Sequence, residues 1–292
     1  MEAYPHFQQQ LADVIADIQE NGFYFADQRK HLLRTLNELE NTSAQADATH
    51  TDIGLIHYYI GLISSDEYLG KDEALKRLST AAVMQQQASF LSDMQQVKLA
   101  LVLGELHRRF GHDNEAVHYF DLAADLVDDP SIDPDLRIGA LQSVAYHYHE
   151  MEMYQQALGL NLAARYTCVE HFPEEWDAEL PLLQNLAENT YCLGEFALTE
   201  KYLHQVVEYA VKLEDEEVEV NGLFKLGVLA FEQGETDTAR DYLQQSLQAA
   251  ERSGDDDLIA MAQAGGKRAE RKRFVLVLNN ELPRTITDRH CL

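Results

Sequence analysis

The chain has 292 residues, 46% of them apolar and only 21 of them Gly or Pro (15 and 6), which excludes bulk disorder and suffices for a sizeable core. Fifty acidic residues against 23 basic ones give a formal net charge of -27, a surface that repels nucleic-acid phosphates and anionic lipid headgroups. From residue 266 onward the balance reverses, with seven Lys/Arg against three Asp/Glu, so the body expects a basic or neutral partner and the short tail is free to dock on it.

Three cysteines, Cys168, Cys192 and Cys291, form no CxxC pair and are odd in number, the pattern of reduced thiols in a cytoplasmic protein. The opening residues lack the basic and apolar regions of a signal peptide, and no apolar run approaches the ~20 residues a spanning helix needs.

Along the chain, residues 4–40 read as two helices: Leu11, Val14, Ile15 and Ile18 form one stripe and Leu32, Leu33, Leu36 and Leu39 a second, with Gly22 breaking between them. Residues 41–50 are polar and read as a loop. A frame then recurs. A small residue stands at Gly61, Gly104, Ala145, Ala187 and Gly227, at spacings of 43, 41, 42 and 40 residues. Each copy continues into a Gly or polar turn seven to nine residues on, then a second helix. Ala stands early in that helix at Ala74, Ala116, Ala157 and Ala239, and Thr199 takes its place in the fourth copy. Such a frame predicts helical hairpins whose members touch at the small residue, where a bulky side chain would force them apart. Residues 128–134 and 172–175 carry Pro and acidic residues and read as turns that open the next helix. After residue 264 the composition changes abruptly: a Gly-Gly pair, a basic run over 267–273, and Phe274-Val275-Leu276-Val277-Leu278 as a short strand or apolar plug. A sixth copy begins at Leu258-Ile259-Ala260 and is not completed, which suggests a chain cut short of a longer one.

The copies resemble the tetratricopeptide repeat family, whose pattern asks for a Leu-Gly pair, an aromatic three later, a turn Gly, then Ala and an aromatic or Leu. Leu103-Gly104, Gly111, Ala116 and Phe120 match it, as do Leu226-Gly227, Gly234, Ala239 and Leu243. The aromatic is present at Tyr148 but replaced at His107, Thr190 and Ala230. The repeats exceed the minimal ~34 residues. In length they are similar to those of kinesin light chains, large bacterial transcription activators and bacterial peptide-sensing regulators. The resemblance implies an all-α, right-handed α-solenoid: an N-terminal capping hairpin over 1–45, five repeats over 46–264, and a basic tail over 265–292 that is disordered or truncated.

In that family the first helix of each hairpin lines a concave groove, with side chains three before, one after and four after the small residue on one side. The positions are Tyr58, Leu62 and Ser65; Leu101, Glu105 and Arg108; Gln142, Tyr146 and His149; Gln184, Glu188 and Tyr191; and Phe224, Val228 and Phe231, with Asn185 and Lys225 beside the row. Leu101, Arg108, Gln142, Tyr146, His149, Gln184, Asn185, Glu188, Tyr191, Phe224, Lys225 and Phe231 are the partner-binding candidates. Gln and Asn can bond a peptide backbone as donor and acceptor, and aromatic residues supply anchors. Asn185 and Lys225 do not complete the family's clamp for chaperone C-termini.

Catalytic signatures are absent: no GxSxG, GxxxxGK[ST] or GxGxxG is present, so no catalytic residue and no cofactor is expected. His107, His112, His118, His147 and His149 lack metal-ligand spacing, and His107 stands where the pattern wants an aromatic, so it reads as a packed ring. Cys168 and Cys192 read as buried thiols. The runs Asp215-Glu216-Glu217 and Asp255-Asp256-Asp257 read as helix caps. The functional expectation is a signalling scaffold or sensor that holds a protein or peptide, without nucleic acid or membrane. Two alternatives stay open: a regulatory domain of a larger signalling protein, homodimeric through its end repeats, and a repeat-built phosphatase.

Overall fold

The computed structural model describes residues 3–22, 26–44, 46, 48–65, 70–129 and 131–270. Residues 271–292, and with them the apolar run at 274–278 and Cys291, lie outside the described residues. The described residues form thirteen helices and fall into two compact units, Met1–Ile132 and Asp133–Leu292.

The first unit contains α1 (Ala3–Asn21), α2 (Ala26–Thr42), α3 (His50–Ser64), α4 (Lys71–Gln87), α5 (Asp93–Arg109) and α6 (Asp113–Leu126). Its first two hairpin-forming repeats are α3 with α4 and α5 with α6. The stripes read from the sequence face inward: Leu11, Ile18, Leu32, Leu36 and Leu39 are buried. Because α1 and α2 pack on α3, Tyr58 and Leu62 are only 1% and 4% exposed, and they belong to the core and not to a groove. Arg77 on α4 ties three helices together, bonding Glu73, Glu40 on α2, and Nδ1 of His57 on α3 at 3.0 Å. Burial, then the Arg77 charge, lowers the His57 pKa.

The second unit contains α7 (Pro134–Glu150), α8 (Tyr154–His171), α9 (Trp176–Cys192), α10 (Phe196–Leu213), α11 (Glu216–Glu232), α12 (Thr236–Ser253) and α13 (Asp256–Glu270). Consecutive helices pair as α7 with α8, α9 with α10 and α11 with α12, and each second helix also packs on the next first helix. Caps fall where the sequence places them. Asp133 accepts from the N–H of Asp135 and Leu136 just before Pro134, Asp215 from that of Val218, and Asp255 from those of Asp257 and Leu258. The helix α13 runs through Gly265 and Gly266 to Glu270, so the stretch read as tail begins as helix.

The small residue sets each hairpin crossing. A Cβ on Gly61 would lie 2.5 Å from Leu78 Cγ, one on Gly104 2.6 Å from Phe120 Cδ1, and one on Gly227 2.7 Å from Leu243 Cγ. In each case a large second-helix side chain lies against first-helix backbone. The turns close with left-handed residues at Gly111, Gly194 and Gly234; Glu152 (φ 60) takes that place in the α7–α8 hairpin, at a cost of about 1–2 kcal/mol.

In the α9–α10 hairpin two departures from the family pattern compensate one another. Thr190 replaces the aromatic and Thr199 replaces the Ala, both are buried, and their hydroxyls meet at 3.1 Å. The ring His107 instead keeps the aromatic role, stacked on Tyr119 with centroids 5.3 Å apart and planes 15° apart.

Replacing Gly104 by Val should destabilise the chain by about 1–3 kcal/mol, because the Phe120 ring must leave its seat. Urea unfolding followed by circular dichroism measures this; an unchanged midpoint would contradict the crossing geometry.

Candidate functional site

The first helices of the second unit, α7, α9 and α11, carry ten of the twelve candidate residues; Leu101 and Arg108 lie on α5 in the other unit, both half-buried. Arg108 is ion-paired to Glu105 at 2.8 Å. Gln142, Gln184, Asn185, Phe224, Lys225 and Phe231 are half-buried, and Tyr146 is 50% exposed. Val228 is buried, since α10, α12 and α13 all pack on α11 and leave it little free surface.

Side chains one repeat apart join these helices. His149 Nδ1 lies 2.8 Å from the Asn189 amide oxygen, which makes Nδ1 the protonated nitrogen, and Nε2 faces Glu188 at 4.0 Å. Asn189 is 2% exposed, so the bond satisfies a group that would be costly to leave unpaired. On the next pair of helices, the Tyr191 hydroxyl donates to the carboxylate of Glu232, with both oxygens near 3 Å (3.0 and 2.9 Å). Burial, then this carboxylate, raises the Tyr191 pKa, so the phenol stays protonated as the bond requires. The separations are 40 and 41 residues, one repeat each.

Around this row stand residues that the family frame does not mark. The ring of Tyr154 meets His149 edge to face at 5.1 Å, and Phe196 lies 6.0 Å from Tyr191. Cys192 is half-buried and not fully buried as expected. Burial, then Glu188, raises the Cys192 pKa; burial and the carboxylates of Glu179, Glu175 and Asp177 push Cys168 up to about 11. Both thiols are therefore held protonated, the opposite of what a nucleophilic cysteine needs.

A second anchor lies nearer the start of α9. Buried Glu179 accepts from Arg165 Nε on α8 at 2.7 Å and from the Tyr209 hydroxyl on α10 at 3.2 Å. These three groups satisfy one another and fix the spacing of α8, α9 and α10. A separate cavity of about 800 Å³ opens among the turns before α11 and α13; it is lined by Leu213, Met261 and six carboxylates, of which Asp215 and Asp255 are engaged as caps.

Residues 177–252 match the tetratricopeptide repeat family. No curated protein sequence matches the chain. Among solved structures, the apo form of RapI is similar with a TM-score of 0.62 at 14% identity, covering 91% of this chain and 71% of that one. The apo form of the quorum sensor NprR from B. thuringiensis gives 0.58 at 14% identity, covering 94% and 73%. Aspartyl phosphate phosphatase F from Bacillus subtilis gives 0.57 at 13% identity, covering 92% and 77%. At these identities the likeness is one of fold. The fold is all-α, a helical solenoid built of tetratricopeptide-type repeats.

The cross-repeat bond of Tyr191 is measurable by itself. A double-mutant cycle of Tyr191→Phe with Glu232→Gln should return a coupling of about 0.5–1.5 kcal/mol in urea unfolding, and additive effects would mean the two groups do not interact in solution.

Proposed function

We propose that this tetratricopeptide repeat chain is a protein- or peptide-binding signalling module, and that its ligand lies across α7, α9 and α11. One observation carries the reading: three successive first helices present amides, phenols and aromatic rings along one row, tied from helix to helix by His149–Asn189 and Tyr191–Glu232. Side chains held in this way lose little further freedom when a ligand arrives.

The row suits an extended, basic segment. Gln142, Gln184 and Asn185 can pair with a peptide backbone, Phe224 and Phe231 can take apolar side chains, and Glu188 and Glu232 can meet Lys or Arg. A net charge of -27 speeds encounter with such a partner and disfavours nucleic acid and anionic membrane. No helix among the described residues is long and apolar enough to cross a membrane. The protonated thiols support a binding role without covalent catalysis, and free Cys168 and Cys192 support a cytoplasmic setting. The quorum sensor among the structural neighbours is in keeping with a sensor role.

Selection from a displayed random-peptide library, followed by anisotropy titration of a labelled hit, tests the reading. The expected ligand is rich in Lys, Arg and apolar residues, and Tyr191→Ala with Phe231→Ala should weaken it roughly tenfold or more with helicity intact. Unchanged affinity would remove this surface from consideration.

A further inference from the structure

The outer side of helix α8 is uncharged until its last turn. Its inner side buries Ala157, Leu158, Ala164 and Cys168. Its outer side exposes Gln155, Gln156, Gly159, Leu162, Ala163, Tyr166 and Val169, with no charged residue among them; Glu170 and His171 come only at the end. Leu162, Tyr166 and Val169 are 42%, 70% and 49% exposed and stand at i, i+4 and i+7, one ridge along the helix. The second helices on either side in the sequence differ. The exposed side of α6 carries Asp113, Glu115, Asp121 and Asp125, and that of α10 carries Lys201, His204, Glu208 and Lys212 beside Leu198 and Val211. A helix without a charged face is normally covered on both sides.

Gly159 sharpens the contrast. It lies inside a helix, where Gly is unfavourable, yet its φ is helical and a Cβ there would meet no atom of the chain within 4 Å. Neither a turn nor a close contact within this chain requires it. Together with Ala163 it leaves a shallow lane beside the Leu162–Tyr166–Val169 ridge.

We infer that the outer face of α8 is a dimerisation surface, and that its occupant is the α8 of a second copy of this chain, packed antiparallel about a two-fold axis. Two features select a second copy. A two-fold contact needs one patch complementary to itself, and this patch carries both the ridge and the lane that receives it. Two copies at -27 each repel wherever carboxylates face one another, and this strip holds none over four turns, from Gln155 to Val169. The lane from Gly159 to Ala163 follows an i±4 row, and the ridge runs beside it at i, i+4 and i+7, the spacing by which one helix face packs on another. A contact of one helix with another falls below the about 1,200 Å² of standard interfaces, so the dimer should dissociate in the micromolar range. This surface is separate from the peptide row on α7, α9 and α11, and either proposal stands if the other fails: one is read as mass, the other as anisotropy.

Sedimentation equilibrium of the full chain from about 1 to about 200 µM tests it. The expected mass rises from 33.2 kDa toward twice that value. Tyr166→Glu should abolish the rise. Gly159→Leu puts its Cβ clear of its own chain and fills the lane, so it should weaken association at least tenfold while helicity holds; it decides the matter if Tyr166→Glu does not fold. A monomer at every concentration, a dimer that Gly159→Leu leaves unchanged, or a monomeric chain that binds a different protein through this face would each overturn the inference.

Discussion

Everything in this structure rests on the close approach of two helices at one small residue per repeat. At Gly61, Gly104 and Gly227 the missing side chain admits Leu78, Phe120 and Leu243 onto the facing backbone. Ala145 and Ala187 hold the same place in the other two hairpins, both buried. Once the hairpins are fixed, stacking them within each unit buries their apolar faces, since no single pair of helices can cover its own. The α7–α8 hairpin is the exception in composition: the slot filled elsewhere by Leu or Phe holds Asn161, which is 2% exposed with an amide oxygen that has no hydrogen-bond partner. That hairpin also carries the left-handed Glu152 and the uncharged outer face of α8. Three departures from the repeat pattern thus fall in a single hairpin.

The regular interval also generates the candidate site. Residues 40 or 41 apart become neighbours on adjacent first helices, so a polar group in one repeat can satisfy a group in the next. His149 with Asn189, and Tyr191 with Glu232, are the results. On the second helices, His204 and Tyr242 meet in the same way at 3.1 Å. A ligand laid across these helices would contact groups already held by their neighbours, and this pre-organisation is what makes a row of ordinary polar residues a candidate docking surface.

Much of the fold was legible because its determinants are local. The small residues, the turn glycines, and the caps at Asp133, Asp215 and Asp255 each act within a few residues of chain. His107 stacks on Tyr119 where the pattern has an aromatic, because the pattern fixes which side of the helix it occupies, but its ring is half-buried and not part of the core. What escaped depends on which other element covers a helix. Periodicity assigns Tyr58, Leu62 and Val228 to a groove, yet it carries no information on neighbouring helices, and those cover all three. Asn189, Glu232 and Tyr154 were missed for a related reason: their roles arise from partners a repeat away or across a turn. A search for polar residues recurring one repeat apart would have offered Asn189 and Glu232. The exposed face of α8 was legible in principle, as a second helix without charge in a strongly acidic chain.

Hydrogen exchange on the Gly227→Val variant tests the stacking of hairpins through their small-residue crossings most directly. Disrupting that crossing should deprotect the amides of α11 and α12 most and those of α9, α10 and α13 less. The amides of α7 and α8 should change least, because each repeat contacts only its neighbours. Equal loss across α7 to α13, or no loss in α11 and α12, would contradict the account.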